Sequence, residues 1–202
     1  MDRDQSERHK QRMIRRKEAF ENRKAKATLE KGLIIVNTGA AKGKTTAALG
    51  LAFRALGHAM KVGIVQFIKG AIPTGEAALA RKLNLPIEIH TMGDGFTWNT
   101  QDRARDIASA RKAWEKAVTL LRDESFDLVI LDELNVVLHY EYLALGEVLD
   151  ELGRRRPDLH IVVTGRNAKP QLIEIADLVT EMKLIKHPYR EQGVKPQRGI
   201  EF

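Results

Sequence analysis

One stretch constrains this chain more than any other: Asn37-Thr38-Gly39-Ala40-Ala41-Lys42-Gly43-Lys44-Thr45-Thr46. The apolar run Leu33-Ile34-Ile35-Val36 leads into it, and an Ala- and Leu-rich run from Ala47 to Leu56 leads out. The pattern predicts a strand, a glycine-rich turn and a helix. A turn that ends Gly-Lys-Thr where a helix begins is suited to hold phosphate. Backbone N–H groups and the helix dipole face the anion, Lys44 adds a point charge, and the Thr45 hydroxyl can reach Mg²⁺. Gly39 and Gly43 let the backbone close around an oxyanion. The common motif has four residues between its first Gly and the Gly-Lys pair. Here only Ala40, Ala41 and Lys42 intervene after Gly39, so the loop is one residue short and carries an extra lysine.

Downstream, apolar runs alternate with helical periodicity. Strands are expected over Lys61–Ile68, Ile87–Thr91, Asp127–Glu133, His160–Thr164 and Leu178–Leu184. Helices are expected over Ala77–Leu83, Asp102–Arg122, Tyr142–Arg155 and Pro170–Ala176, with Trp114 on the apolar stripe of the second and so in the core. The tail from Lys186 shows no clear period. Alternating β and α elements imply an α/β fold, a mostly parallel sheet with helices on both faces.

The chain splits by composition into a basic arm, residues 1–31, and a domain, residues 32–202. The net charge of +7 tempts a nucleic-acid reading. Its distribution argues against one: the arm holds 11 Lys/Arg against 6 Asp/Glu, and the remaining 171 residues hold 23 against 21. The arm is rich in helix formers, and Met13 and Phe20 fall two turns apart on one face. It reads as a helix that docks on a neighbouring subunit, or as a solvated tail. The absence of Cys fits a reducing compartment. The charged start, Met1-Asp2-Arg3-Asp4, leads into no signal-like apolar core, and no apolar run would span a bilayer. The expectation is a cytoplasmic protein with no membrane partner.

In open α/β sheets, ligands bind at the carboxyl ends of strands. Four groups fall there: the phosphate loop, Asp132-Glu133, the loop bearing Phe96 and Trp98, and Thr164–Asn167. An apolar strand ending in Asp132-Glu133 downstream of a phosphate loop is a second Mg²⁺-binding element, one carboxylate on the metal and the other acting as base or holding ribose. With Thr45, these are the candidate metal ligands. Arg166 follows a glycine at a strand end and can neutralise phosphate charge. The six histidines are scattered without metal-ligand spacing. No Ser-His-Asp or Cys-His arrangement can be argued. The residues thus describe a Mg-nucleotide-binding domain, either an NTP-hydrolysing motor or switch, or a transferase that consumes the nucleotide.

At this point the sequence resembles the P-loop type of corrinoid adenosyltransferase over about Gly32 to Phe202. The resemblance is carried by the short loop Thr38–Thr46, by Val65-Gln66-Phe67-Ile68-Lys69-Gly70, Gly75-Glu76, and Met92 with Gly95-Phe96-Thr97-Trp98-Asn99-Thr100-Gln101-Asp102. Leu131-Asp132-Glu133-Leu134, Thr164-Gly165-Arg166, Lys186-His187 and the ending Gly193-Val194-Lys195-Pro196-Gln197-Arg198-Gly199-Ile200-Glu201-Phe202 complete it. One departure is Ala41, where the family often has Gly. The resemblance implies a RecA-like fold, a homodimer, and transfer of the 5′-deoxyadenosyl group of ATP to Co(I) of a corrinoid, with triphosphate released. It implies Mg²⁺ or Mn²⁺, a flavoprotein reductant, and a nucleotide reversed in the loop relative to ordinary P-loop NTPases. ATP contacts are then expected from Asn37, Thr38, Gly39, Ala40, Ala41, Lys42, Gly43, Lys44, Thr45, Thr46, Gln66, Lys69 and Glu76, and catalytic roles from Lys44, Arg166, Phe96 and Trp98. The last two would lie under the corrin and displace its lower axial ligand. The alternative is a RecA-like ATPase acting on nucleic acid.

Overall fold

The computed structural model describes residues 3–68, 74–93 and 102–201. It divides into two units, Met1–Lys31 and Gly32–Phe202. In the first, α1 spans Arg3–Lys26. Its apolar residues Met13, Ile14 and Phe20 are exposed.

The second unit is built on a six-stranded parallel sheet of order β3-β2-β4-β5-β1-β6. The strands are β1 (Ile34–Thr38), β2 (Val62–Gln66), β3 (Ile87–Thr91), β4 (Leu128–Asp132), β5 (His160–Thr164) and β6 (Leu178–Glu181). The helices are α2 (Lys44–Leu56), α3 (Gly75–Lys82), α4 (Arg103–Arg122), α5 (Leu134–His139), α6 (Leu145–Gly153), α7 (Pro170–Ile175) and α8 (Pro188–Gln192).

Strand side chains alternate between faces, and both faces of the central strands are buried, which is why these runs are apolar throughout. Leu128 and Ile130 of β4 pack under α2 with Ala48, Ala52 and Ala55. Val129 and Leu131 face the opposite layer, with Ala113, Trp114 and Ala117 of α4 and Leu152 of α6. Trp114 is a core residue, 2% exposed. The alanines of α2 bring that helix close to the sheet, so its first turn is held firmly over the strand ends.

Helix α2, after β1, lies on one face, and Leu172 of α7, after β5, packs on the other. The neighbouring strands β1 and β5 therefore send their chains to opposite faces. That opens a crevice at their carboxyl ends, the standard ligand position of such sheets.

Some boundaries differ from the sequence expectation. The helix expected over Tyr142–Arg155 is the shorter α6, Leu145–Gly153, and α5 before it was not expected; turns in which Glu141 adopts φ 58° separate the two. The strand expected to Ile68 ends at Gln66, although Phe67 and Ile68 remain buried. Apolar character marks burial there, not extended pairing. The strand expected to Leu184 ends at Glu181, and the tail contains α8.

Candidate active site

The loop after β1 has two glycines at positive φ, Gly39 at 100° and Gly43 at 104°. A Cβ on Gly39 would lie 2.4 Å from the Met182 carbonyl oxygen, so only glycine fits there. Met182, just past β6, braces the loop. Its N–H donates to the Thr38 carbonyl (2.9 Å), and its own carbonyl accepts from the Ala41 N–H (3.0 Å). Ala41 is not among the positive-φ residues, so its methyl group is accommodated without backbone strain. Gly43 caps α2 with no side-chain hydrogen bond to the helix N–H groups. The first turn of α2 thus presents donors and a positive dipole end to the crevice.

Lys44, the first residue of α2, is 6% exposed. Its Nζ donates to the carbonyls of Gly39 (2.9 Å) and Ala41 (2.6 Å). Burial holds its pKa below the ordinary 10.5, and Arg166 adds to the effect. The carboxylates of Glu133 and Asp132 oppose it.

Asp132, the last residue of β4, is buried at 1% exposure. Its Oδ1 accepts from the hydroxyls of Thr45 (2.8 Å) and Thr164 (2.7 Å), and its Oδ2 accepts from Gln66 Nε2 at 3.3 Å. Gln66 Oε1 in turn accepts from the Thr91 hydroxyl at 2.9 Å. Glu133 follows in a left-handed conformation, φ 66°. Its N–H donates to the Thr164 hydroxyl at 2.9 Å. A Cβ on Gly165 would lie 3.1 Å from Glu133 Oε2 and 2.9 Å from Asn135 Cβ, so the chain before Arg166 passes tightly over the acid. Asn135 Nδ2 pins it by donating to the Gly165 carbonyl at 3.1 Å.

Some of these groups border a cleft of about 1150 Å³. Lys42, Lys44, Thr45, Thr46, Glu133 and Arg166 line its polar part; Leu49, Phe53 and Leu79 line an apolar wall, with Glu76 nearby. The C-terminal segment Gly199–Glu201 borders the same cleft, and Glu201 pairs with Lys42.

Thr45, Asp132 and Glu133 offer hard oxygen donors. Among the described residues no group of three or more His, Cys, Asp or Glu could form a closed cage. One or two carboxylates and a hydroxyl completed by ligand phosphate oxygens is how Mg²⁺ is usually held, so the residues present fit that ion.

A family model for ATP:corrinoid adenosyltransferases BtuR/CobO/CobP matches residues 30–202. The chain belongs to that family. The corrinoid adenosyltransferase of Sinorhizobium sp. is 54% identical over 197 residues, 96% of this chain and 92% of that protein. Those of Pseudomonas aeruginosa and Escherichia coli K12 are 50% and 46% identical, each spanning 97% or more of this chain and 98% of the relative. Among solved structures, the RadB recombinase is similar at a TM-score of 0.47 and 18% identity, over 79% of this chain and 78% of that one. The family's activity is ATP-dependent adenosyl transfer to a corrinoid, and this family member is an enzyme of that kind.

Most of the site residues expected of this adenosyltransferase fall into four groups. Ala41, Lys42, Gly43, Lys44, Thr45, Thr46, Glu76, Glu133 and Arg166 line the cleft. Asn37 and Thr38 are buried in β1 beneath the loop, where the Thr38 hydroxyl accepts from the Ala168 N–H at 3.2 Å. Gln66 reaches Asp132, and Asp132 reaches Thr45. Lys69, Phe96 and Trp98 lie outside the described residues. Sequence reasoning missed Met182, the Thr164 hydroxyl and the contact of Glu201 with Lys42. Met182 carries no legible signal, because its role runs through backbone atoms.

Proposed function

We propose that the cleft binds ATP with its triphosphate in the loop after β1, and that the whole triphosphate leaves when Co(I) of a reduced corrinoid attacks the 5′ carbon. The C5′–O bond breaks, the cobalt electron pair forms the Co–C bond, and the electrons of the broken bond depart on triphosphate oxygen. What carries this reading is the convergence of Lys44, the uncapped first turn of α2 and the Thr45–Asp132 pair on one cleft. A leaving group with three phosphates needs charge stabilisation along its length, which Lys42, Lys44, Arg166 and the α2 N-terminus supply in fixed positions. Mg²⁺, or Mn²⁺ in its place, would neutralise phosphate charge where Thr45, Asp132 and Glu133 converge. No residue is needed to activate a water.

Support for the corrinoid side comes from the family and from topology. In the chain Phe96 and Trp98 come after β3, and β3 pairs with β2, the strand that carries Gln66. Aromatic rings under the corrin would exclude water and replace the lower axial ligand, making Co(II) easier to reduce by a flavoprotein donor. A homodimer and a cytoplasmic location belong to the same reading. The absence of Cys supports the second. The test is to incubate the enzyme with ATP and Mg²⁺, with and without Co(I) corrinoid, and resolve the phosphate products. Triphosphate, formed only with Co(I), is expected; corrinoid-independent orthophosphate at comparable rate would overturn it.

A further inference from the structure

A hydroxyl offers one donor and two acceptor positions. The Thr164 hydroxyl uses its donor on Asp132 Oδ1, at 2.7 Å, and one acceptor position on the Glu133 N–H, at 2.9 Å. It is fully buried, at 0% exposure, so no solvent shares these bonds. One oxygen atom therefore fixes two consecutive acids. On Asp132 it sets the carboxylate that also accepts from Thr45, at 2.8 Å. On Glu133 it holds the N–H of a left-handed residue, φ 66°, whose conformation decides where its carboxylate goes. That carboxylate lies in the cleft lining, beside Gly165.

A strand-end side chain that only satisfied itself would need one partner. Thr164 instead joins the end of β5 to both acids at the end of β4. It is the group through which Thr45, Asp132 and Glu133 keep their relative geometry. We infer that Thr164 is a positioning residue for adenosyl transfer: its single hydroxyl sets Asp132 and Glu133 in the arrangement that receives the divalent cation and the phosphates it carries. The inference rests on the proposed reading of these acids as cation ligands. Groups that orient metal ligands without touching the metal typically change metal affinity by about 10–100-fold when removed.

The experiment measures ATP binding by calorimetry across a Mg²⁺ titration, with corrinoid omitted, in wild type, Thr164→Ser, Thr164→Val and Thr164→Cys. Serine keeps the hydroxyl; valine keeps the shape and removes it; cysteine keeps a side chain of similar size with a weak donor and acceptor. Half-maximal binding should need about 10-fold more Mg²⁺ or higher in the valine variant, and stay within about twofold of wild type in the serine variant. The cysteine variant should fall between, and it decides the matter should valine not fold. A purely structural threonine would lower the melting temperature and leave the Mg²⁺ titration unmoved. A wild-type titration in valine, or in cysteine where valine is lost, overturns the inference, as does a serine variant as impaired as valine. Metal-independent ATP binding by wild type would instead overturn the reading of the acids.

Discussion

The Lys44 ammonium is buried between two carbonyls of its own loop, and desolvation holds its pKa below 10.5. The unfolded chain therefore binds more protons than the folded one between that lowered value and 10.5, so folding stability rises with pH across this window. Triphosphate at Lys44 favours the charged form and raises the pKa again. ATP binding is thus expected to take up a proton between the lowered pKa and 10.5, which calorimetry in two buffers of different ionisation enthalpy detects. Lys44→Ala should abolish this uptake and cost on the order of 10²–10³ in transfer rate, as loss of one preorganised donor does. Uptake that persists in the variant would place the proton elsewhere. Phe96 and Trp98 give a second prediction. Phe96→Ala and Trp98→Ala should impair transfer most when the assay starts from Co(II), with pre-reduced Co(I) restoring much of the loss. Equal impairment from either start would remove their role in reduction. The cleft residues were legible because their chemistry is written in side-chain type and spacing: Gly-Lys-Thr, Asp-Glu after an apolar run, Gly-Arg at a strand end. Met182 was not, because it acts through its backbone carbonyl on the Ala41 N–H.

At the level of elements, the sequence pattern captured each strand of the sheet and the long helix α4: β1, β2, β4 and β5 are buried apolar runs and α4 buries one stripe, whereas the exposed edge strand β6 shows only as a short apolar run. It failed between β4 and α6. There Glu133 and Glu141 take positive φ, and α5 is a single six-residue turn-and-a-half. No spacing in a segment that short announces a helix, and its buried Leu134, Val137 and Leu138 serve burial equally in several conformations. Helix α2 was clear, and its alanines make a quantitative test. Ala52 is 0% exposed against Val62, Ile64, Leu128, Ile130 and Val162. Ala52→Leu should force α2 off the sheet and destabilise the protein by about 1–3 kcal/mol, measured by denaturant unfolding. It should also weaken ATP binding, because α2 begins at Lys44. An unchanged unfolding midpoint would mean that the helix–sheet layer is looser than its burial implies.

For the whole molecule, charge and burial separate the arm from the domain. Residues 1–31 carry most of the net charge of +7, and the apolar side chains of α1 are exposed. A helix that buries none of Met13, Ile14 or Phe20 within its own unit gains little from forming alone. We propose that the arm serves corrinoid binding in the proposed homodimer. Deleting residues 1–31 should then weaken corrinoid affinity more than ATP affinity, both read by calorimetry; equal affinities before and after deletion would return the arm to a solvated tail. The domain's claim is narrower: the loop after β1 holds a triphosphate that leaves whole, by cleavage at carbon. ATP labelled with ¹⁸O at the oxygen bridging C5′ and the α-phosphorus tests it directly. After turnover with Co(I) corrinoid, mass spectrometry should find the label entirely in triphosphate. Label retained on the nucleoside product, or released in orthophosphate, would contradict the mechanism.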